Sequence, residues 1–412
     1  MTTPKVSLCL ANGITNGGVT TWAVSLSQRL NQQGVCTRIL SHKPVEGSSR
    51  FATEFLSETV ECPGDANSQN INAAISFLPQ YSEECEGVFI PNWSWGTWSA
   101  VALLSMHQQS NIRVIGIAHA DDGHYVTLLC YYERIIHKFI AVSTEIYDQL
   151  LKLLPQRVED IVLLSCPVAT PAEIRDRDSK DNILTIAYVG RIEQWQKRIL
   201  DLKDLVEHLE RGPGKYHFII AGDGYSLPEL KDHFESHDYS NSTIEFLGLV
   251  QPAQVKDIWD RADTSVMFSD YEGLSISMLE SMAHGCVPIV TEVSGVKETI
   301  KQGETGFTVS IGDMLAMANW LQILQADRKL LGRISTKCAS HICAKHQIID
   351  YDRKFLSLLN QAWLEAPSRW PCTQPIMPPP AAVERPDSPQ VIEHRNQMIY
   401  RRVIKKFKKF FT

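Results

Sequence analysis

The sequence predicts an α/β protein of two Rossmann-like, doubly wound domains facing each other across a cleft. Three observations carry that expectation. Short apolar runs of strand length alternate with helical patterns from residue 5 onward. The alternation breaks at a polar stretch over residues 170–181, then starts again, and glycine turns follow several of the strand-like runs. Short buried strands alternating with helices imply parallel βαβ units covered on both faces. Two such halves joined by one linker place a cleft between them, with ligands at the carboxyl ends of the strands.

In the first half, residues 5–11 read as a buried strand, 19–31 as an amphipathic helix and 35–41 as a second strand. A strand over 87–90, a helix around 99–107, a strand over 114–118, a helix around 126–137 and a strand over 138–142 follow. The pattern restarts with a strand over 182–189, a helix over 199–210 and a strand over 217–221. Helices over 226–234 and 252–262 flank a strand over 243–247. The strand 264–268, the helix 277–284 and the strand 287–291 close the series. These runs divide the chain into domains at 1–172 and 173–345, with a closing helix over 346–365. Prolines 367, 371, 375, 378, 379, 380, 386 and 389 make 366–390 a stiff, extended linker.

The 412 residues, 44% hydrophobic and 21% charged, suffice for two sizeable cores of a globular protein. No apolar run approaches the ~18 residues of a membrane span. Ten cysteines without a CxxC pair fit a reducing cytosol better than a disulfide framework. Cys338, His341, Cys343 and His346 cluster in sequence, which reads either as a zinc site or as buried cysteines beside surface histidines. The net charge of −7 is uneven: after Glu393 there is no acid, while seven lysines and arginines follow, leaving about −14 on the body. An acidic body excludes nucleic acid as the main partner. In the tail, 391–412, a helix would place Ile399, Val403, Phe407 and Phe410 on one face and basic residues on the other. That pattern fits peripheral contact with an anionic membrane, or a solvated terminus.

The chemistry-bearing residues sit at strand ends. Gly17 and Gly18 precede the first helix and let the backbone approach a diphosphate, although the spacing is not GxGxxG and the second strand ends at Ser41-His42-Lys43 without an acid. Arg191 and Lys197 follow the restart strand, where two cations suit a leaving diphosphate or a solvated turn. His119 follows the strand 114–118, in a loop with Asp121, Asp122 and His124 that reads as caps and turns or as a metal cluster. Glu272 and Glu280 bracket Gly273-Leu274-Ser275, a glycine turn into a helix whose exposed N–H groups favour phosphate. Acids beside such a cradle suit sugar hydroxyls. Trp93, Trp95 and Trp98 read as sugar-stacking rings or as core.

These motifs resemble the retaining glycosyltransferases of the GT-B fold, family four (group 1 glycosyl transferases). The resemblance runs over about residues 4–350. It is carried by Gly17-Gly18, Val189-Gly190-Arg191 with Lys197, Ala221-Gly222-Asp223-Gly224, Phe246-Leu247-Gly248-Leu249-Val250, and Glu272 to Glu280 with its helix–glycine–strand continuation. It implies an acceptor-side first domain and a donor-binding second domain. Arg191 and Lys197 would hold the donor diphosphate, helped by N–H groups of Gly18, Leu274 and Ser275, with Gly17 and Gly273 also on the donor side. Glu280 would take the ribose hydroxyls. Glu272 would take the donor sugar or its developing positive charge, His119 would sit near donor sugar and acceptor, and Leu249 and Gly222 would line the base and phosphate side.

The activity implied is transfer of a hexose from a UDP- or GDP-sugar to a glycan, lipid-linked or small-molecule acceptor, with no metal required, in the cytoplasm or at the inner membrane surface. The alternatives are a nucleotide-sugar epimerase or hydrolase on the same fold, or a non-catalytic nucleotide-sugar-binding scaffold. Two departures stand out. Leu164-Ser165-Cys166-Pro167-Val168 replaces an Asn-Gly turn, and Glu-Gly-Leu-Ser replaces the commoner Glu-Gly-Phe-Gly.

Overall fold

The computed structural model describes residues 4–377 apart from 16, 44–57, 69, 85 and 179–181. The tail over 391–412 and the linker past 377 lie outside the described residues. The first domain is built on β1 (Lys5–Leu10), β2 (Thr37–Ser41), β3 (Thr59–Glu61), β4 (Glu86–Ile90), β5 (Asn111–Ala118), β6 (Lys138–Ala141) and β7 (Ile161–Leu163). The second is built on β8 (Ile183–Val189), β9 (Lys215–Ala221), β10 (Ser242–Gly248), β11 (Thr264–Met267), β12 (Val287–Thr291) and β13 (Phe307–Val309).

The sheets run β3-β2-β1-β4-β5-β6-β7 and β10-β9-β8-β11-β12-β13, and all their pairings are parallel. Helices cover both faces, so inner strands such as β6, β11 and β12 are buried at every position. Strand order reverses between β1 and β4 and between β8 and β11. Each reversal opens a crevice at the carboxyl ends, and those two crevices face each other.

Several element boundaries differ from the sequence reading. The helix expected from residue 99 runs Trp95–Met106, because Trp95 and Trp98 already face the core in its first turn. The helix expected over 126–137 is His124–Tyr131, and a 3-10 turn at Glu133–Ile135 brings the buried Tyr132 inward. The edge strands β3, β7 and β13 have three residues each, too few to give an alternation signal.

The polar hinge is fastened over its described part. Arg175 pairs with Asp263, and the buried Arg177 guanidinium donates to the carbonyls of Ala262 and Trp259 at 2.9–3.1 Å. The chain crosses back beside this point, with Val168 N–H donating to His346 O at 3.1 Å and His346 Nδ1 lying 2.9 Å from Cys166 O. Helix Ile348–Leu364 then locks onto the first domain. Trp22 donates to Tyr351 at 2.8 Å, and Arg29 grips Asp352 at 2.9 and 3.0 Å.

The expectation of a stiff linker fails over residues 366–377. Trp370 is buried beside Tyr131 and Tyr132, whose hydroxyls donate to Pro375 O and Ile376 O, and Arg369 donates to Ser105 O and His107 O. The prolines rule out helix and strand but not docking. Among the described residues, no His/Cys/Asp/Glu group is placed to hold a metal. Cys338 is buried against Met282 O and Cys286 O, and His346 serves the crossing. No described helix is long and apolar enough to cross a membrane.

The domains also touch directly. Ala120 and Gly273 form an antiparallel bridge, and Asp121 N–H donates to Glu272 O at 3.2 Å. Beside it lies a reciprocal pair of caps. Glu298 of the second domain accepts from the N–H and hydroxyl of Thr144, at the start of helix Thr144–Leu153. Glu145 of that helix accepts from Gly295 N–H at 3.3 Å, at the start of Val296–Thr299. Each carboxylate satisfies donors that the other helix cannot satisfy itself.

Candidate functional site

The facing crevices merge into a single cleft of about 890 Å³. Its walls carry every site residue expected from the sequence except Gly273: Gly17, Gly18, His119, Arg191, Lys197, Gly222, Leu249, Glu272, Leu274, Ser275 and Glu280.

From the first domain, the loop after β1 ends in Gly17, extended and with open space where a side chain would stand. Gly18 starts helix Gly18–Gln32, which has no side-chain cap. Uncapped N–H groups at the positive end of a 15-residue helix therefore face the cleft. His119 follows β5 and is half-buried, packed edge-on to Trp22 at 4.6 Å and near Tyr125 at 5.8 Å. That burial pushes its imidazole down to about 3, so it is neutral near pH 7.

Its Nε2 lies 3.2 Å from Oδ1 of Asn92, a residue that sequence reasoning passed over. Asn92 is buried at φ 59°, in the left-handed region that asparagine tolerates, and its Nδ2 donates to Cys9 O at 2.7 Å. The amide nitrogen is thereby committed, and the amide oxygen must accept from His119. This fixes the imidazole as the Nε2–H tautomer with its lone pair at Nδ1.

From the second domain, Lys197 Nζ pairs with Glu272 Oε1, which also accepts from Ser269 Oγ at 2.7 Å. Glu272 is buried, so the ion pair is only partly screened. Arg191 donates to Gln196 and Glu193 and lies over the Trp195 ring at 5.7 Å. Gln196 clasps the two loops, donating to Tyr271 O at 3.1 Å and accepting from Asp270 N–H at 2.9 Å. Arg198, at φ 47°, reaches Asp201 and Asp270 rather than the cleft.

Helix Ile276–Ala283 starts at Ser275, whose hydroxyl accepts from Met278 N–H at 3.3 Å. Ser277 ties it to the end of β8 through Val189 O at 2.7 Å. Glu280 is half-buried one turn further along the cleft wall, and Leu249 is 42% exposed at its rim.

Two glycines have a reason the sequence did not show. A Cβ on Gly222, at φ 144°, would lie 1.8 Å from Gly190 O, and a Cβ on Gly273 would lie 2.1 Å from His119 O. Backbone crowding, rather than a ligand, requires glycine at both. Gly273 sits at the contact between the domains and not on the cleft surface. Of the three tryptophans, Trp95 and Trp98 are core, while Trp93 is half-buried on the cleft wall.

Residues 184–327 match the family model described as glycosyl transferases group 1. The chain is 26% identical over 210 residues to the Campylobacter jejuni GalNAc-alpha-(1->4)-GalNAc-alpha-(1->3)-diNAcBac-PP-undecaprenol alpha-1,4-N-acetyl-D-galactosaminyltransferase, covering 50% of this chain and 54% of that one. It is 38% identical over 247 residues to the putative glycosyltransferase EpsD of Bacillus subtilis, covering 58% and 57%. The chain thus spans about half the length of the curated relatives it matches. Among solved structures, Anabaena Alr3699/HepE in complex with UDP-glucose superposes with a TM-score of 0.69 at 14% identity, over 87% of this chain and 99% of that one. Residues 184–327 thus match the group 1 glycosyl transferases, and the chain as a whole has the two-domain GT-B fold of the solved structures it superposes on.

Proposed function

We propose that the protein is a retaining hexosyltransferase that moves a hexose from a UDP- or GDP-sugar to a glycan, lipid-linked or small-molecule acceptor. The observation that carries this reading is the Lys197–Glu272 pair with Arg191 beside it, across the cleft from the Gly18 helix terminus and His119. Cations and free N–H groups meet a departing diphosphate, and a buried carboxylate meets positive charge growing at the anomeric carbon. Both interactions are stronger in the transition state than in the ground state. Arg191, Lys197 and the N–H groups of Gly18, Leu274 and Ser275 supply enough positive charge that no divalent metal is needed. Glu280 takes the ribose hydroxyls, and Leu249 and Gly222 line the nucleotide side. The relatives' names, all sugar transferases, and the UDP-glucose bound by the Anabaena structure support the donor class.

Calorimetry with UDP- and GDP-hexoses tests it. The wild type should bind at least one, and Lys197→Ala and Glu280→Ala should each weaken it about tenfold or more. The product's anomeric configuration by NMR should match the donor's. Unchanged affinity in both variants would overturn the assignment. Donor consumed without an acceptor favours the epimerase or hydrolase reading, and tight binding without turnover favours the scaffold.

A further inference from the structure

Besides the groups assigned above, the cleft carries Trp93, Asp122 and His124 on one wall and Trp195 and Tyr271 on the other. We propose that these five side chains form the acceptor subsite and that the acceptor they take is a cyclic saccharide. The proposal rests on the glycosyltransferase reading and narrows its acceptor from three classes to one.

The placement is specific. Trp93 follows β4, while Asp122 and His124 follow β5, both at carboxyl ends beside the crevice. Trp93 lies 6.0 Å from the His124 ring, whose Nε2 is 2.7 Å from the Trp93 carbonyl, so the two rings are held together. Opposite them, Trp195 is 45% exposed and lies 6.1 Å from Tyr271. Arg191 covers one side of this indole, and nearly half of the residue stays open on the cleft wall. Asp122 Oδ1 accepts from His124 N–H at 2.9 Å, and burial raises its carboxyl above the usual range. Burial, with a smaller contribution from the nearby Asp122 charge, pushes up the Tyr271 phenol of the facing domain.

Aromatic faces around one half-buried carboxylate match the two chemistries of a pyranose ring. Its C–H face packs on indole and phenol rings, and its hydroxyls donate to the carboxylate. A phosphate-bearing acceptor would meet Asp122 as a like charge. A polyprenyl chain would cover Asp122 and bring no donor to replace the water it displaces from the carboxylate.

The subsite also lies where transfer needs it. Asp121 N–H donates to Glu272 O, so Asp122 is one residue from the carboxylate loop, and Arg191 lies over Trp195. A saccharide hydroxyl held there forms the new bond from its oxygen to the anomeric carbon. The bond from that carbon to the diphosphate oxygen breaks, and the hydroxyl proton passes to the departing diphosphate.

The test uses the full chain with methyl glycosides of glucose, galactose, mannose and N-acetylglucosamine, against glycerol 1-phosphate and farnesyl phosphate, with products read by mass spectrometry. At least one methyl glycoside should be glycosylated. Asp122→Asn, which keeps the cap to His124, and Trp195→Ala on the other domain should each raise its KM about tenfold or more with kcat moved far less. Both should retain the wild-type affinity for UDP or GDP. Transfer to either phosphate with the glycosides idle, donor turnover by water alone, or wild-type KM in both variants would each overturn the proposal. So would a parallel loss of nucleotide affinity, which assigns Trp195 and Asp122 to the donor. Failure of the wild type to bind any nucleotide sugar, read before acceptor is added, is failure of the underlying reading and removes both.

Discussion

Replacing Glu298 by glutamine separates the hydrogen bonds of the cross-domain cap from its charge. Glu298 accepts from Thr144 N–H at 3.1 and 3.2 Å and from the Thr144 hydroxyl, yet its carboxyl is raised above the usual glutamate value. Burial is the largest cause and Glu145 adds repulsion, while the Thr144 bonds and Lys345 act the other way without prevailing. A group raised in the folded state stabilises fully below its unfolded pKa of about 4.3, and that contribution is lost as pH rises through the folded value. At pH 7.5 the charged form is therefore a cost. Glutamine keeps an acceptor oxygen for Thr144 and drops the charge.

Glu298→Gln should be at least as stable as wild type at pH 7.5, by less than about 1 kcal/mol since the group is half-exposed, and the gap should close toward pH 5. Glu298→Ala loses the cap and should cost about 0.5–2 kcal/mol. For domains of this size that is a drop in Tm of roughly 2–4 °C per kcal/mol. Differential scanning calorimetry at pH 5, 6 and 7.5 reads all three proteins. A loss of about 1 kcal/mol or more for Glu298→Gln at pH 7.5, or a gap that widens on acidification, would refute the reasoning.

Two further outcomes follow from the contact between the domains and the loops beside it. Asn92→Asp places a carboxylate against His119 Nε2 and should raise its pKa from about 3 into a titratable range, whereas the wild-type ring stays neutral with Nδ1 deprotonated above pH 5. Heteronuclear NMR of the His119 ring checks both tautomer and titration, and a protonated Nδ1 in the neutral wild type would contradict the Asn92 assignment. Gly273→Ala puts a methyl group 2.1 Å from His119 O, which only separation of the Ala120–Gly273 bridge can relieve. Solution scattering should show a larger radius of gyration with both domains still folded, and an unchanged profile would count against the contact.

Sequence reading reached the sheet-forming runs and the strand-end loops because both leave local marks, an apolar run of fixed length and a glycine before a helix. That Gly18, Arg191, Lys197 and Glu280 line one cleft is legible for that reason. What it missed acts across long separations. Asn92 matters through His119, 27 residues away, and an asparagine after a strand has no pattern that says so. The docking of residues 366–377 was hidden because proline content reports which backbone shapes are excluded, not which surfaces are met. Gly273 and Gly222 stand out in the sequence as glycines beside a phosphate site, while the structure shows another backbone crowding both. Sequence alone does not distinguish a backbone that needs room for a ligand from one that needs room for another backbone.

The Lys197–Glu272 pair places two charges of opposite sign on the cleft wall. A carboxylate and an ammonium would each be costly to bury alone. Joined, each satisfies the other, and Ser269 adds a donor to Glu272. On the proposed function, a diphosphate arriving beside Arg191 would compete for Lys197 and leave Glu272 facing the sugar without its cation. Donor binding and the electrostatics of the anomeric carbon would then be coupled through that ion pair. The Asp121–Glu272 and Ala120–Gly273 contacts would make that coupling sensitive to whether the two domains are together. Loosening the domains should therefore disturb the chemistry at Glu272 before it disturbs either fold.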